Sequence, residues 1–394
     1  MSQKPANHTA GISPKWGALL AVITVLAAYS LTVGYVYPAV AFNLKIREFS
    51  PGLIGMQSAM SGIGILIGAL FTAMIAARYT AFLTTVVGLV ASALAIVAIG
   101  IIPPIAWWFL LRFIIGFTGS MVFIVTETWI NQLAPDRLRG QIIGIYTSVL
   151  AGVFAFGPWL TSVLGFDGWR PYFLVALMLL AMGIPLLIFR RDMPPAPPHE
   201  PGAFVSTFRL IPVLMLGVAA FGFFDGAVLT LWPVYAIDSN ATADHAALLL
   251  STLIVGNLVF QYPIGWLADH FSRRSLFTLC ATVAFFGSVM LPLTDLNQTY
   301  IYPYLLLWGA LSFGIYTLAM TIVGEVLKGP QLVAANAGFG VMWGAGAIGG
   351  SAISGWLMDV LGPAGLPVAL GIMFGILTIT SLFFPPIRIK QPAH

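Results

Sequence analysis

Twelve long apolar stretches run through the 394 residues, from Trp16 to Phe384, and they constrain the fold more than any motif does. A helix needs roughly 20 predominantly apolar residues to cross the hydrocarbon core of a bilayer. The chain is 59% hydrophobic and 8% charged, so a water-soluble fold would lack the polar residues needed to coat it. Its 41 Gly and 26 Pro would weaken soluble helices, whereas membrane helices tolerate both because neighbours re-satisfy the freed backbone groups. The expectation is an all-α membrane protein with spans at 17–42, 52–77, 80–101, 105–131, 140–165, 170–189, 209–236, 246–268, 275–293, 300–324, 332–358 and 364–385. The first stretch is longer than the apolar region of a cleaved signal peptide and reads as a retained helix.

Met193-Pro194-Pro195-Ala196-Pro197-Pro198 can neither be helical nor lie in lipid. It divides the chain into an N-terminal six-helix bundle (1–189, with 1–15 as a tail), a linker (190–206) and a second six-helix bundle with a short tail (207–394). Thirteen basic residues fall on one side: Lys4, Lys15, Arg78, Arg137, Arg139, Arg190, Arg191, Arg209, Arg273, Arg274, Lys328, Arg388 and Lys390. Three, Lys45, Arg47 and Arg170, fall on the other, and Arg112 lies within a span. The positive-inside rule then places both termini in the cytoplasm, with the inner membrane as the expected location.

The net charge of +4 is spread singly over loops, which argues against a nucleic-acid partner. The lone Cys280 excludes a disulfide framework. The sequence holds no metal-ligand spacing, no phosphate-binding loop of the Walker type and no clustered nucleophile and base. No cofactor, built-in ATP motor or enzymatic activity is therefore expected, and the lipid bilayer, protons and a small-molecule substrate are the partners of an expected monomer.

The halves resemble one another. Gly265-Trp266-Leu267-Ala268-Asp269-His270-Phe271-Ser272-Arg273-Arg274 follows the eighth span, and Ala73-Met74-Ile75-Ala76-Ala77-Arg78-Tyr79 holds the same place after the second, with Ala for both Gly and Asp. Two tandem halves joined by a central loop are a layout of transporters whose site lies near the membrane midplane. At Gly265 to Arg274 the chain resembles the major facilitator superfamily, whose cytoplasmic motif is Gly-x-Leu-x-Asp-Arg-x-Gly-Arg-Arg, with His270 and Ser272 departing from it. Arg112-Phe113-Ile114-Ile115-Gly116 and Gly168-Trp169-Arg170 are similar to further superfamily motifs, and Gly144 with Gly157-Pro158 partly matches an antiporter motif whose closing Gly-Gly is Thr161-Ser162 here. Arg112 to Glu127, Pro263 to Asp269 and Gln331 to Ala337 resemble the YcaD-like branch of bacterial inner-membrane proteins. The resemblance implies two pseudo-symmetric six-helix bundles with spans 1, 4, 7 and 10 lining a central cavity.

Ionisable groups inside the bilayer are costly and are functional candidates. Arg112 and Asp225 are expected in the outer half of the membrane, facing each other across that cavity. A carboxylate that moves between a desolvated site and a cation can switch its protonation, which would couple transport to protons. The alternative for the pair is a fixed structural salt bridge, or an Arg112 bonded only to helix carbonyls. Gly265 would permit close helix approach, and Asp269, Arg273 and Arg274 would form a gating loop or simply set topology. Glu127 and Glu325, at corresponding cytoplasmic ends, would join an inner charge network with Arg137, Arg139 or Asp269, or cap loops at headgroup level. Gly338, Gly340, Gly344, Gly346, Gly349, Gly350 and Gly355 stud span eleven, with close packing as the default role.

Tyr29, Tyr35, Gln57, Tyr146, Trp232, Asn257, Gln261, Tyr316, Asn336 and Trp343 form the candidate cavity lining, with Tyr37, Ser61, Thr126, Thr147 and Tyr262 beside them. Aromatic faces mixed with amide and hydroxyl groups suit a small flat organic solute rather than a polyanion. The reading is a secondary active transporter working by alternating access, proton-coupled, with export favoured by Gly157-Pro158. The alternative is an uncoupled or symport importer of a nutrient such as an aromatic or heterocyclic vitamin.

Overall fold

The computed structural model describes residues 15–102, 104–135, 138–195, 210–327 and 329–384; the side chains of 139–141, 144, 269, 329, 330, 332–334, 336 and 337 also lie outside the description. The described chain folds into twelve long helices. The first six are α1 (Trp16–Ile46), α2 (Pro51–Tyr79), α3 (Ala81–Ile101), α4 (Ile105–Leu133), α5 (Arg139–Leu164) and α6 (Trp169–Ile188). The second six are α7 (Pro212–Asp238), α8 (Ala243–His270), α9 (Arg273–Met290), α10 (Ile301–Val326), α11 (Gly329–Leu361) and α12 (Gly365–Phe383). Short connections force neighbours to run antiparallel. We call the side where α1 begins and α12 ends basal, and the opposite side distal.

The last apolar stretch, Gly338–Phe383, is 46 residues long, too much for one span. It is broken at the short 3-10 turn Gly362–Ala364, where Gly362 adopts φ +65, a left-handed conformation that side chains disfavour. Large apolar residues such as Leu20, Leu70, Leu94, Ile188 and Phe383 point outward, as helices in lipid require. No strand occurs among the described residues.

Within this frame small residues set how closely helices approach. A Cβ on Gly157 of α5 would strike the backbone of Gly34 and Tyr35 in α1. The Gly157-Pro158 pair therefore has a packing role whatever the transport direction. The glycines of α11 serve two partners. Gly346 and Gly350 lie on the α7 backbone at Ala219 and Phe223, while Gly344 and Gly355 face Leu66 and Pro51 of α2 in the other half. Gly340 and Gly265 have open space where a Cβ would be, so the expected close approach at those two positions is absent.

On the basal side the start of the interhalf connection is held against the first half. The Trp129 Nε1 donates to the Pro194 carbonyl at 2.9 Å, and Lys15 lies 3.2 Å from the Asp192 carboxylate.

Candidate functional site

The two halves are tied together on the distal side. Lys45 at the end of α1 pairs with Asp238 at the end of α7 at 2.5 Å. Asp359, near the distal end of α11, accepts from the Gly52 amide at 2.9 Å and from the Ser50 hydroxyl at 3.3 Å at the N-terminus of α2. A carboxylate there meets both unpaired amides and the positive end of the helix dipole. Deeper in, the Ser58 and Thr230 hydroxyls share a hydrogen bond of 2.6 Å between α2 and α7. Ser251 Oγ of α8 accepts from the Trp159 amide of α5 at 3.0 Å. These polar ties, together with the glycine contacts of α2 and α11, close the distal side.

Below the seal lies a buried cluster centred on Arg112, which is 1% exposed. Its Nε donates to the Gln57 Oε1 at 3.2 Å, and its guanidinium stacks over the Tyr37 ring at 4.1 Å. Gln57 in turn donates to the Trp108 carbonyl at 3.4 Å, and Ser61 donates to the Arg112 carbonyl at 3.1 Å. The Arg112 Nη1 is buried without a hydrogen-bond partner among the described residues. A planar, delocalised cation over an aromatic face is the form in which a guanidinium tolerates such burial.

Asp225 is also buried, at 9% exposure, but its hydrogen-bond partner is the side chain of Trp343 on α11. Among the described residues no hydrogen bond or ion pair joins Arg112 to Asp225, so the alternative of a fixed salt bridge between them is not seen. Arg112 lies seven residues from the distal end of α4, roughly 10 Å at 1.5 Å per residue. Asp225 lies thirteen residues from Asp238, roughly 20 Å, because α7 runs further than the apolar pattern implied. The acid is thus at the middle of its helix, and the two groups belong to different halves at different depths.

Basal to Asp225, Glu127 of α4 is exposed, and its charge acts on both Tyr146 of α5 and Tyr316 of α10. Phe221 and Phe339 flank the Tyr316 ring at centroid distances of 5.1 and 6.5 Å.

Several sequence expectations are corrected. Tyr29 is buried inside the first half, donating to the Ile115 carbonyl at 2.9 Å. Tyr35 donates to the Gly165 carbonyl at 2.7 Å, and Trp232 to the Ala246 carbonyl at 3.1 Å. All three are interior packing groups whose polar tips find carbonyl partners, as buried Tyr and Trp require, and they do not line a cavity in this state. Gln57 serves the Arg112 cluster. Asn257 is half-buried, and the exposed Gln261 reaches Thr317 of α10 at 3.4 Å.

Glu325 pairs with Arg273, within the second half, while Arg137 and the side chains of Arg139 and Asp269, the other members of the expected inner network, lie outside the described residues. Arg274 donates to the Leu382 and Phe384 carbonyls at 3.3 and 3.5 Å, satisfying the end of α12. The side chains of Asp269, Arg139 and Asn336 fall outside the described residues. Lys45, Asp238, Asp359, Ser58 and Thr230 were not anticipated as interhalf ties. Their signal was a polar side chain at or one to two turns inside the distal helix ends, which in sequence reads as topology or packing.

A family model described as Major Facilitator Superfamily matches residues 18–238 and 214–394. The chain belongs to the major facilitator superfamily, and is accordingly a multi-pass membrane transporter rather than an enzyme. It is 26% identical over 269 residues to the uncharacterised MFS-type transporter YfkF of Bacillus subtilis (strain 168), covering 66% of this chain and 68% of that one. It is 24% identical over 344 residues to the uncharacterised MFS-type transporter YcaD of Escherichia coli (strain K12 / DH10B), covering 86% and 89%. Among solved structures it is similar to the nucleoside transporter NupG, with a TM-score of 0.76 at 12% identity, covering 93% of this chain and 99% of that one. A bacterial homologue of the lysosomal transporter Spinster, inward-facing and unoccupied, aligns with a TM-score of 0.74 at 14% identity over 93% of this chain and 95% of that one. At these identities the likeness is one of fold.

Proposed function

We propose that the protein carries a small organic solute across the inner membrane by alternating access, coupled to protons, with export favoured over import. With both termini cytoplasmic, the distal seal is the outer gate. The observation that carries the coupling is Asp225: a carboxyl at the middle of α7, buried, whose hydrogen-bond partner is the neutral side chain of Trp343. A buried acid without a cation is stable neutral and costly ionised, so exposure to water in one state and enclosure in the other drives proton release and uptake. Arg112 belongs to the reading as a structural cation above the site rather than as the direct partner of Asp225. The direction rests on the partial antiporter motif at Gly157-Pro158.

The test starts from a thermal-stability screen of purified protein against metabolites and drugs, since a ligand raises apparent stability by mass action. The stabilising solute is then followed in proteoliposomes under an imposed pH gradient. Gradient-driven accumulation is expected in the wild type and lost in Asp225→Asn, with solute exchange retained. Equal accumulation in both overturns proton coupling through Asp225.

A further inference from the structure

We propose that the distal end of the seam between α2 and α11 binds a phospholipid whose headgroup ends in a primary ammonium. Asp359 holds the ammonium, and the groove beneath it holds the upper part of an acyl chain. The proposal needs only that the chain spans a bilayer, and is independent of the solute and of proton coupling. A groove of about 480 Å³ runs along the outside of this seam. Its walls are Leu53 and Met56 of α2 and Ala352, Ile353 and Trp356 of α11, with Ser50, Gly52 and Asp359 at its upper end.

The groove exists because the two helices meet through residues without side chains. Gly55 lies on the Ser351 carbonyl, and Gly355 on the backbone of Pro51 and Gly52, so bare peptide forms the floor. Beside that floor Met56, Ile353 and Trp356 point outward, at 55%, 50% and 60% exposure. Ile353 stands eight residues inside the distal end of α11, roughly 12 Å at 1.5 Å per residue, and Asp359 only two. Polarity along the groove therefore runs from a carboxylate at headgroup level, past an indole, to apolar walls within the hydrocarbon. At that depth the solvent is lipid, so an acyl chain is what fills an apolar cleft there.

Asp359 decides the headgroup. Its Oδ1 accepts from the Gly52 amide and its Oδ2 from the Ser50 hydroxyl, which leaves about half of the roughly four acceptor positions of a carboxylate free. Asp359 is exposed, and among the described residues no Lys, Arg or His pairs with it. The distal cations Lys45 and Arg47 are paired with Asp238 and Asp167 instead. An unneutralised carboxylate at this level repels a headgroup of net negative charge and attracts an ammonium. A primary ammonium can donate to the free acceptor positions, whereas a trimethylated one has no N–H to give. One wall of the groove comes from each half, so occupancy favours the arrangement in which α2 and α11 lie side by side.

The experiment is mass spectrometry of the intact full chain, released from detergent holding equal amounts of phosphatidylethanolamine, phosphatidylcholine and phosphatidylglycerol with matched acyl chains. The wild type is expected to retain the ethanolamine lipid over each of the others by at least about fivefold, as one partly exposed ion pair can provide. Asp359→Asn keeps an acceptor for the Gly52 amide but not the charge, and should erase that preference. Ala352→Leu fills the groove without touching Asp359, and should lose the same lipid. Glycerophosphoethanolamine, the headgroup without chains, is expected not to displace the lipid at equal concentration. Equal retention of the three lipids by the wild type overturns the proposal, and that comparison needs no variant. A preference unchanged in either variant also overturns it, as does displacement by the chainless headgroup. A lipid-free dimer as the main species would give the groove to a second copy and overturn it too. No gradient is involved, so failure here leaves the transport mechanism standing.

Discussion

The Lys45 ammonium lies 2.5 Å from the Asp238 carboxylate, joining the distal ends of α1 and α7 across the boundary between the halves. The two side chains are 22% and 27% exposed, so the pair is screened but not fully solvated. Such a pair contributes about 1 kcal/mol. Asp238→Asn should therefore move the balance toward the state open on the distal side by up to about fivefold. Spin-label distances between the distal ends of α1 and α7 would register it, and an unchanged distance distribution would remove this pair from the gate.

Gly157 and Gly34 touch backbone to backbone, and a methyl group on Gly157 has nowhere to go. Gly157→Ala should cost about 1–3 kcal/mol through forced separation of α1 and α5. The measurement is the melting temperature in detergent, with Gly265→Ala as the control. Gly265 has open space around the position of a Cβ, so its substitution should be near neutral.

Gln57 is the hydrogen-bond acceptor for the Arg112 Nε. Gln57→Ala would leave that buried donor without an acceptor, and should destabilise the protein by about 1–3 kcal/mol. Gln57→Glu should cost less, because it retains the acceptor and adds a charge opposite to that of the guanidinium, although it gives up the donor to the Trp108 carbonyl. Gln57→Leu, which keeps most of the volume but removes the acceptor, separates loss of the acceptor from loss of volume in the melting curves.

Asp295, in the distal connection between α9 and α10, accepts from the Asn297 amide at 2.9 Å and from the Gln298 side chain at 3.3 Å. These bonds, the Asn297 amide foremost, hold its carboxyl below the ordinary carboxylate value. A group depressed by folding contributes its stabilisation above the unfolded value, about 3.9 for Asp, and loses it as pH falls through the folded value. Hydrogen exchange at 295–300, corrected for the intrinsic rate, should therefore accelerate on acidification below about pH 4. Asp295→Asn should abolish that pH-dependent component; its persistence would show that another group controls the turn.

The sequence makes the span count legible because the bilayer imposes it through composition and length. The apolar stretch 332–358 corresponds to Gly329–Leu361, and 209–236 to Pro212–Asp238, so ends differ by only a few residues. Azimuth is a different matter. Tyr29, Tyr35 and Trp232 have the same polar–aromatic character whether they face a cavity or a neighbouring helix, and only packing decides. Arg112 and Asp225 were matched by depth along helices whose true ends shift the acid to the centre of α7. Charged residues at helix ends, such as Lys45 and Asp359, look alike whether they meet headgroups or another helix. Glu127 and Glu325 occupy corresponding positions, yet among the described residues only the latter is paired with an arginine.

The use of α11 glycines on two opposite partners has a mechanical meaning. A rod that presents bare peptide to its own bundle through Gly346 and Gly350, and to the other bundle through Gly344 and Gly355, has few side chains to disentangle there. It can act as a bearing, along which one half slides without lifting away. Friction at that bearing, rather than the strength of any single clasp, would then set the pace of each transport cycle.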